Sequence, residues 1–166
     1  MKTNTQKTVT AAMLAALCCI ATMIIRIPSP LKGYINLGDC VVLLSGCLLS
    51  PVYGFAAAGI GSAFADIFSG YFIYAGATFI IKGLMALIMH CSLKKTHNKP
   101  CNTSARIVGG ILAEATMIIG YYLFEGFLYG FSASLVNMPA NCIQGIAGLI
   151  MGIILINVFE KTKMFK

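Results

Sequence analysis

The sequence predicts an all-α integral membrane protein, a bundle of six transmembrane helices with both termini in the cytoplasm. Three observations carry that expectation. Of 166 residues, 58% are hydrophobic and 10% are charged, against roughly 25% charged in a typical soluble domain. A water-soluble fold of this size needs a polar coat that such a composition cannot supply. The basic residues, finally, collect between long apolar runs, as they do where positive charge sets membrane topology.

A spanning helix takes about 20 predominantly apolar residues, with a range of roughly 17–25. Six segments are expected to span, at 8–27, 37–49, 52–69, 77–93, 106–130 and 136–159, within one membrane domain. The first follows Lys7 and stops at "RIPSP", where two prolines break a helix. No A-x-A site precedes a polar mature region and more spans follow, so it reads as a membrane helix rather than a signal peptide. The second is short and opens after "YINLG"; the third follows "SPVYG". "GYFIYAG" separates the third from the fourth, the hydrophilic run "KKTHNKPCNTSAR" precedes the fifth, and "FSASL" leads into the sixth. Six passes put both termini on one side. That side carries nine Lys and Arg (Lys2, Lys7, Lys94, Lys95, Lys99, Arg106, Lys161, Lys163 and Lys166) and the other three (Arg26, Lys32 and Lys82). The excess marks the terminal side as cytoplasmic.

The formal charge of +7 is therefore read as topology. No basic patch with interleaved aromatics points to nucleic acid. The seven cysteines show no C-x-x-C pair and no His at ligand spacing, so neither a disulfide framework nor a metal site is expected. No phosphate-binding G-x-x-x-x-G-K-[ST] loop, H-E-x-x-H or G-x-S-x-G occurs. No cofactor and no catalytic residues are expected, and uphill transport would draw on a partner or an ion gradient.

Polar groups inside apolar spans then become the informative residues, because a charge at mid-membrane costs about 2.5–3.5 kcal/mol even on insertion scales. In the fifth span Glu114, Tyr121 and Glu125 recur on one helical face; in the sixth, Asn137, Asn141 and Gln144 do the same. Thr78 and Lys82 share a face of the fourth, Ser62 and Asp66 of the third. Most of these lie in the outer halves of their helices, beneath loops that hold Tyr34, Tyr71 and Tyr74, which describes an apolar, aromatic pocket with a few placed polar groups. Asp39, at the start of the second span, is expected to cap free backbone N–H groups. Asp66 and Lys82 fall at similar depth on either side of a turn; they form a structural ion pair, the version favoured, or Lys82 turns to a ligand and Asp66 tunes it. In the first helix Ala11, Ala12, Ala15 and Ala16 make two overlapping small-xxx-small rows, suited to packing within the bundle or to docking another helix.

The run "YINLGDCVVLLSGCLLSPVYGFAAAGIGSAFADIFSGYFIYAGATFIIKGLMALI", with "GYYLFEGFLYG" and "NCIQGIAGLIMG", resembles the S component of energy-coupling factor (ECF) vitamin transporters. It is similar to the riboflavin-type branch, which includes hydroxymethylpyrimidine and pyridoxine S components. The resemblance implies a vitamin held near the outer face, with a transmembrane coupling protein and two cytoplasmic ATPases as partners. It implies that Ala11, Ala12, Ala15 and Ala16 face the coupling protein. It implies substrate contacts from Asn36, Tyr74, Thr78, Lys82, Tyr121, Glu125, Asn141 and Gln144. The chain has no Trp, so the Trp-lined pocket of thiamine S components is not matched, nor is a biotin-type signature. Hydroxymethylpyrimidine- or pyridoxine-like ligands are favoured, with riboflavin open. The main rival is a self-contained proton-coupled secondary transporter using Glu114 or Glu125. An intramembrane enzyme lacks an acid–base or metal constellation.

Overall fold

The computed structural model describes residues 4–28, 34–94 and 103–161. Six helices account for nearly all of them: α1 (Asn4–Ile24), α2 (Gly38–Leu48), α3 (Pro51–Phe68), α4 (Phe72–Lys94), α5 (Thr103–Tyr129) and α6 (Phe131–Lys161). Five are long and apolar enough to cross a membrane; α2, with 11 residues, is shorter. Lys2, Lys32, Lys95, Lys99, Lys163 and Lys166, which enter the topology count, lie outside the described residues.

The chain order reads around a ring in which α1 packs on α3, α3 on α4, α4 on α5, α5 on α6, and α6 on α2. α2 also touches α1, α3 and α4, and it supplies the centre. Val41, Val42, Leu43 and Leu44, successive residues pointing all round the helix, are each at most 2% exposed. A helix apolar on every face belongs inside. Around it lie Met85, Met89, Ala113, Met117 and Ile156, at 0–1% exposure. The outward faces of the other helices are apolar too, with Ile24, Val52, Phe72 and Phe127 among the most exposed side chains. That inversion of a soluble protein's surface is what a lipid environment requires.

The connections divide the bundle into two ends. At one end lies a small antiparallel ribbon of β1 (Arg26–Pro28) and β2 (Tyr34–Asn36), with Ile27 opposite Ile35. Hydropathy gives no sign of this ribbon. The same end holds the α3–α4 turn, where Tyr71 N–H reaches the Asp66 carbonyl at 2.8 Å and Gly70 N–H the Ile67 carbonyl at 3.1 Å. This is a Schellman cap, and it needs the left-handed φ of +82° that Gly70 adopts. α4 resumes at Phe72, so Tyr74 stands in its first turn rather than in a seven-residue connection. At the other end Ser50 and Pro51 turn α2 into α3, and the Arg106 guanidinium clamps α5 to α6 through Asn157 at 3.0 Å and Glu160 at 2.8 Å.

Close helix approach relies on missing side chains. A Cβ on Gly148 would stand 2.7 Å from Asp39 Cβ and 2.9 Å from Glu114 Oε1, and one on Gly152 would stand 2.8 Å from Leu43. α6 therefore presents a smooth face that lets α2, and with it the Asp39 side chain, move close.

Candidate functional site

At the ribbon end the helices surround a small cavity that opens at the surface. All eight residues singled out from the sequence line it: Asn36 from β2, Tyr74, Thr78 and Lys82 from α4, Tyr121 and Glu125 from α5, Asn141 and Gln144 from α6. Spacing explains this. Positions 74, 78 and 82 repeat every four residues, as do 121 and 125, so each set lies on one face of its helix. Tyr34, Asp66, Tyr71, Ser62, Thr22 and Asn137 line the cavity as well. The sequence marked Asn137, Ser62 and Asp66 as stripe members; nothing in hydropathy marks Thr22.

The polar side chains form three clusters. The deepest joins four elements: Lys82 Nζ is paired with Asp39 Oδ1, Gln144 Nε2 donates to Asp39 Oδ2 at 2.7 Å, and Asn36 N–H donates to Gln144 Oε1 at 3.0 Å. Asn36 Oδ1 in turn accepts the Gly38 N–H at 2.9 Å. Lys82 also lies 5.6 Å from the Tyr121 ring centroid, within cation–π range. A buried pair is tolerated when its partners have further contacts: Gln144 fills the second Asp39 oxygen, and the Tyr121 ring faces Lys82.

Two expectations are corrected here. Lys82 does not pair with Asp66; its partner is Asp39, because α2 runs through the centre and brings that carboxylate across from a third helix. Nor does Asp39 cap α2. The N-cap position is Leu37, without a side-chain bond, the Asn36 side chain takes the nearest free N–H, and the Asp39 carboxylate is spent on Lys82 and Gln144.

The second cluster belongs to the ribbon. Tyr34 donates its hydroxyl to Asp66 Oδ1 at 2.6 Å; burial, then the Asp66 charge, push the Tyr34 hydroxyl's pKa upward. The rings of Tyr34 and Tyr71 stand 4.8 Å apart and those of Tyr71 and Tyr74 6.4 Å, making an aromatic wall. In the third cluster Asn137 Nδ2 donates to Glu125 Oε1 at 2.7 Å, and the Tyr74 hydroxyl reaches the same oxygen at 3.4 Å. Thr78 and Tyr121 share a hydroxyl–hydroxyl bond of 3.0 Å. Pro139, inside α6, can give no N–H to the Leu135 carbonyl, which interrupts the helical ladder between Asn137 and Asn141. Glu114 is buried against α6 at Gly145 and Gly148 and is not among the lining residues.

The alanines of α1 lie along a second, apolar groove between α1 and α3, all four among its lining residues with Ile60, Gly61, Phe64 and Phe68. Ala11 is buried and Ala15 half-buried, whereas Ala12 and Ala16 are exposed. A Cβ on Gly61 would run into the Ala15 carbonyl, so the two backbones are in near contact. The inner row thus packs the bundle, and the outer row is left facing outward.

Comparison with known proteins agrees with this architecture. A solved structure reported as "Structure and mechanism of the S component of a bacterial ECF transporter" superposes with a TM-score of 0.78 at 24% identity, over 98% of this chain and 99% of that one. The S component for biotin from an ECF-type ABC transporter gives 0.57 at 23% identity, over 93% and 94%. At those identities the likeness speaks for the fold. An uncharacterized protein of Pyrococcus woesei is 34% identical over 134 residues, 80% of this chain and 87% of its own length. The family described as "ECF-type riboflavin transporter, S component" matches residues 2–161. Over nearly its whole length, then, the chain belongs to the ECF-type riboflavin transporter S-component family, membrane-embedded substrate-binding subunits of ECF transporters.

Proposed function

We propose that this chain captures a small water-soluble vitamin or vitamin precursor at the outer face of the plasma membrane, as the binding subunit of an ATP-driven importer. Ligands of the hydroxymethylpyrimidine or pyridoxine kind are favoured over riboflavin. The ribbon end faces outward and both termini lie in the cytoplasm, in keeping with the nine-to-three distribution of Lys and Arg. α2 counts as the sixth membrane segment, sheltered from lipid by its neighbours. A transmembrane coupling protein, carrying two ATPases, docks on the groove along Ala12 and Ala16. The family is a transport component and not an enzyme class, and family membership counts against a self-contained proton-coupled carrier.

One observation carries the reading. Residues chosen from four separate stretches of sequence converge on one cavity, the concave setting with a few convergent polar groups in which small-molecule sites are built. Its aromatic wall suits a flat ring, and its amides and carboxylates suit a ligand with several hydrogen-bonding groups. Asn141→Ala and Glu125→Ala are each expected to weaken ligand binding about 10- to 100-fold, the scale of one or two lost buried hydrogen bonds. Titration of the detergent-purified variants measures this, and unchanged affinity in both defeats the proposal. Mass spectrometry of the compound that co-purifies with the unmodified protein identifies the vitamin.

A further inference from the structure

Glu114 is a buried acid outside the cavity, and its carboxyl has nothing to bond to. It is 4% exposed, and neither Oε1 nor Oε2 meets a hydrogen-bond partner among the described residues. Asp39 differs, because its two oxygens take Lys82 and Gln144. The two acids nevertheless crowd one spot on α6. The place of a Gly148 Cβ lies 2.7 Å from Asp39 Cβ and 2.9 Å from Glu114 Oε1, and the place of a Gly145 Cβ lies 3.5 Å from Glu114 Oε2. The two glycines thus let the Glu114 carboxyl rest directly on the α6 backbone.

Charge balance decides what completes such a group. The groups that face Glu114 are Asp39 and Cys40 from α2 and Lys82 from α4. α6 meets it with glycine, and on α5 itself Tyr121 and Glu125 share its face about two and three turns away. Lys82 is already held by Asp39, so an ionised Glu114 would leave the trio with one uncompensated negative charge. A carboxylate in that position, with no donor and no cation of its own, neutralises instead. Among the described residues no group of three or more acidic, His or Cys side chains is suited to a metal ion. A proton needs no coordination shell and fits against the backbone.

We infer that Glu114 is a proton-binding site: it holds a proton at neutral pH, and that proton keeps the trio Asp39, Lys82 and Glu114 neutral with Lys82 on Asp39. Without it, Glu114 competes with Asp39 for Lys82. Gln144 bonds to Asp39 and Asn36 to Gln144, so the floor of the cavity depends on the outcome of that competition. The proton belongs to the fold and is not carried across the membrane, and the inference stands apart from the capture function proposed above.

Infrared spectra of the full-length, detergent-purified protein at about pH 7 test it, because a protonated carboxyl and a carboxylate absorb apart. Unmodified protein minus Glu114→Gln is expected to show a protonated-carboxyl C=O band that shifts in heavy water. Glu114→Gln and Glu114→Met, both neutral, should fold and melt no lower than the unmodified protein. The unfolded chain gives the Glu114 proton to water while the folded chain retains it, so the folding equilibrium should move in favour of the variants by up to about tenfold per pH unit between about pH 6 and pH 8. If one variant does not fold, the spectra and melts are taken with the other. A carboxylate band in the difference spectrum, a gap in melting that does not change with pH, or two variants that both melt lower or fail to fold overturns the inference, since Glu114 would then be a charge the bundle requires.

Discussion

α1 and α3 each serve two surfaces, and the two are built on opposite principles. Toward the cavity they present Thr22, Ser62 and Asp66; toward the groove they present Ala12, Ala16, Ile60 and Phe64. On the proposed reading the cavity recognises by placed donors and acceptors, which lose affinity when truncated. On the same reading the groove recognises only by shape, since a helix partner in lipid gains chiefly from close van der Waals approach. Removal of atoms should therefore damage the first surface, and addition of atoms the second.

The sharpest challenge to that division is Lys82→Met. If Lys82 is bound to Asp39 as the geometry has it, its loss leaves a buried uncompensated carboxylate and destabilises the bundle by about 3–5 kcal/mol. Thermal unfolding in detergent should show the loss, and Lys82→Met combined with Asp39→Leu should recover most of it. A stable single variant that merely fails to bind would make Lys82 a ligand group instead. Next in size is the groove. Ala12→Leu with Ala16→Leu should abolish co-purification with the coupling protein while ligand affinity stays within about twofold; retained assembly would remove the groove from the interface. Gly61→Ala is expected to push α1 off α3 and to destabilise the protein by about 1–3 kcal/mol, the usual range for overpacking, whereas unchanged melting would mean that the contact between α1 and α3 is looser than drawn. The smallest effect should come from Tyr74→Phe, which removes the hydroxyl, with its long hydrogen bond to Glu125 and its contact with Tyr129, and keeps the ring. About 0.5–1.5 kcal/mol of binding free energy is expected to go. A larger loss would mean that the hydroxyl touches the ligand directly.

Helical periodicity made much of this legible in the sequence. The stripe 137–141–144 and the set 74–78–82 identify faces, and faces decide which residues can meet. What it could not give was the azimuth of one helix relative to another. Asp66 and Lys82 share a depth, and depth suggested a pair; but α2 is flanked by α1, α3, α4 and α6, and Asp39 arrives at Lys82 from the middle. An apolar segment of 11 residues carries no hint that it is the hub. The ribbon was equally invisible, since "RIP" and "YIN" are too short to show an alternating pattern. Likewise, Glu114 shares a face with Glu125, but the smooth face of α6 at Gly145 and Gly148 takes Glu114 into a helix contact.

The brevity of α2 also bears on membrane voltage. Eleven helical residues rise about 16 Å, roughly half of a hydrocarbon layer of about 30 Å. A charge fixed part-way through that layer feels the corresponding fraction of a transmembrane potential. Near the start of α2 stand Asp39 and its partner Lys82. Because their charges cancel, the protein sets a dipole, rather than a net charge, in that field.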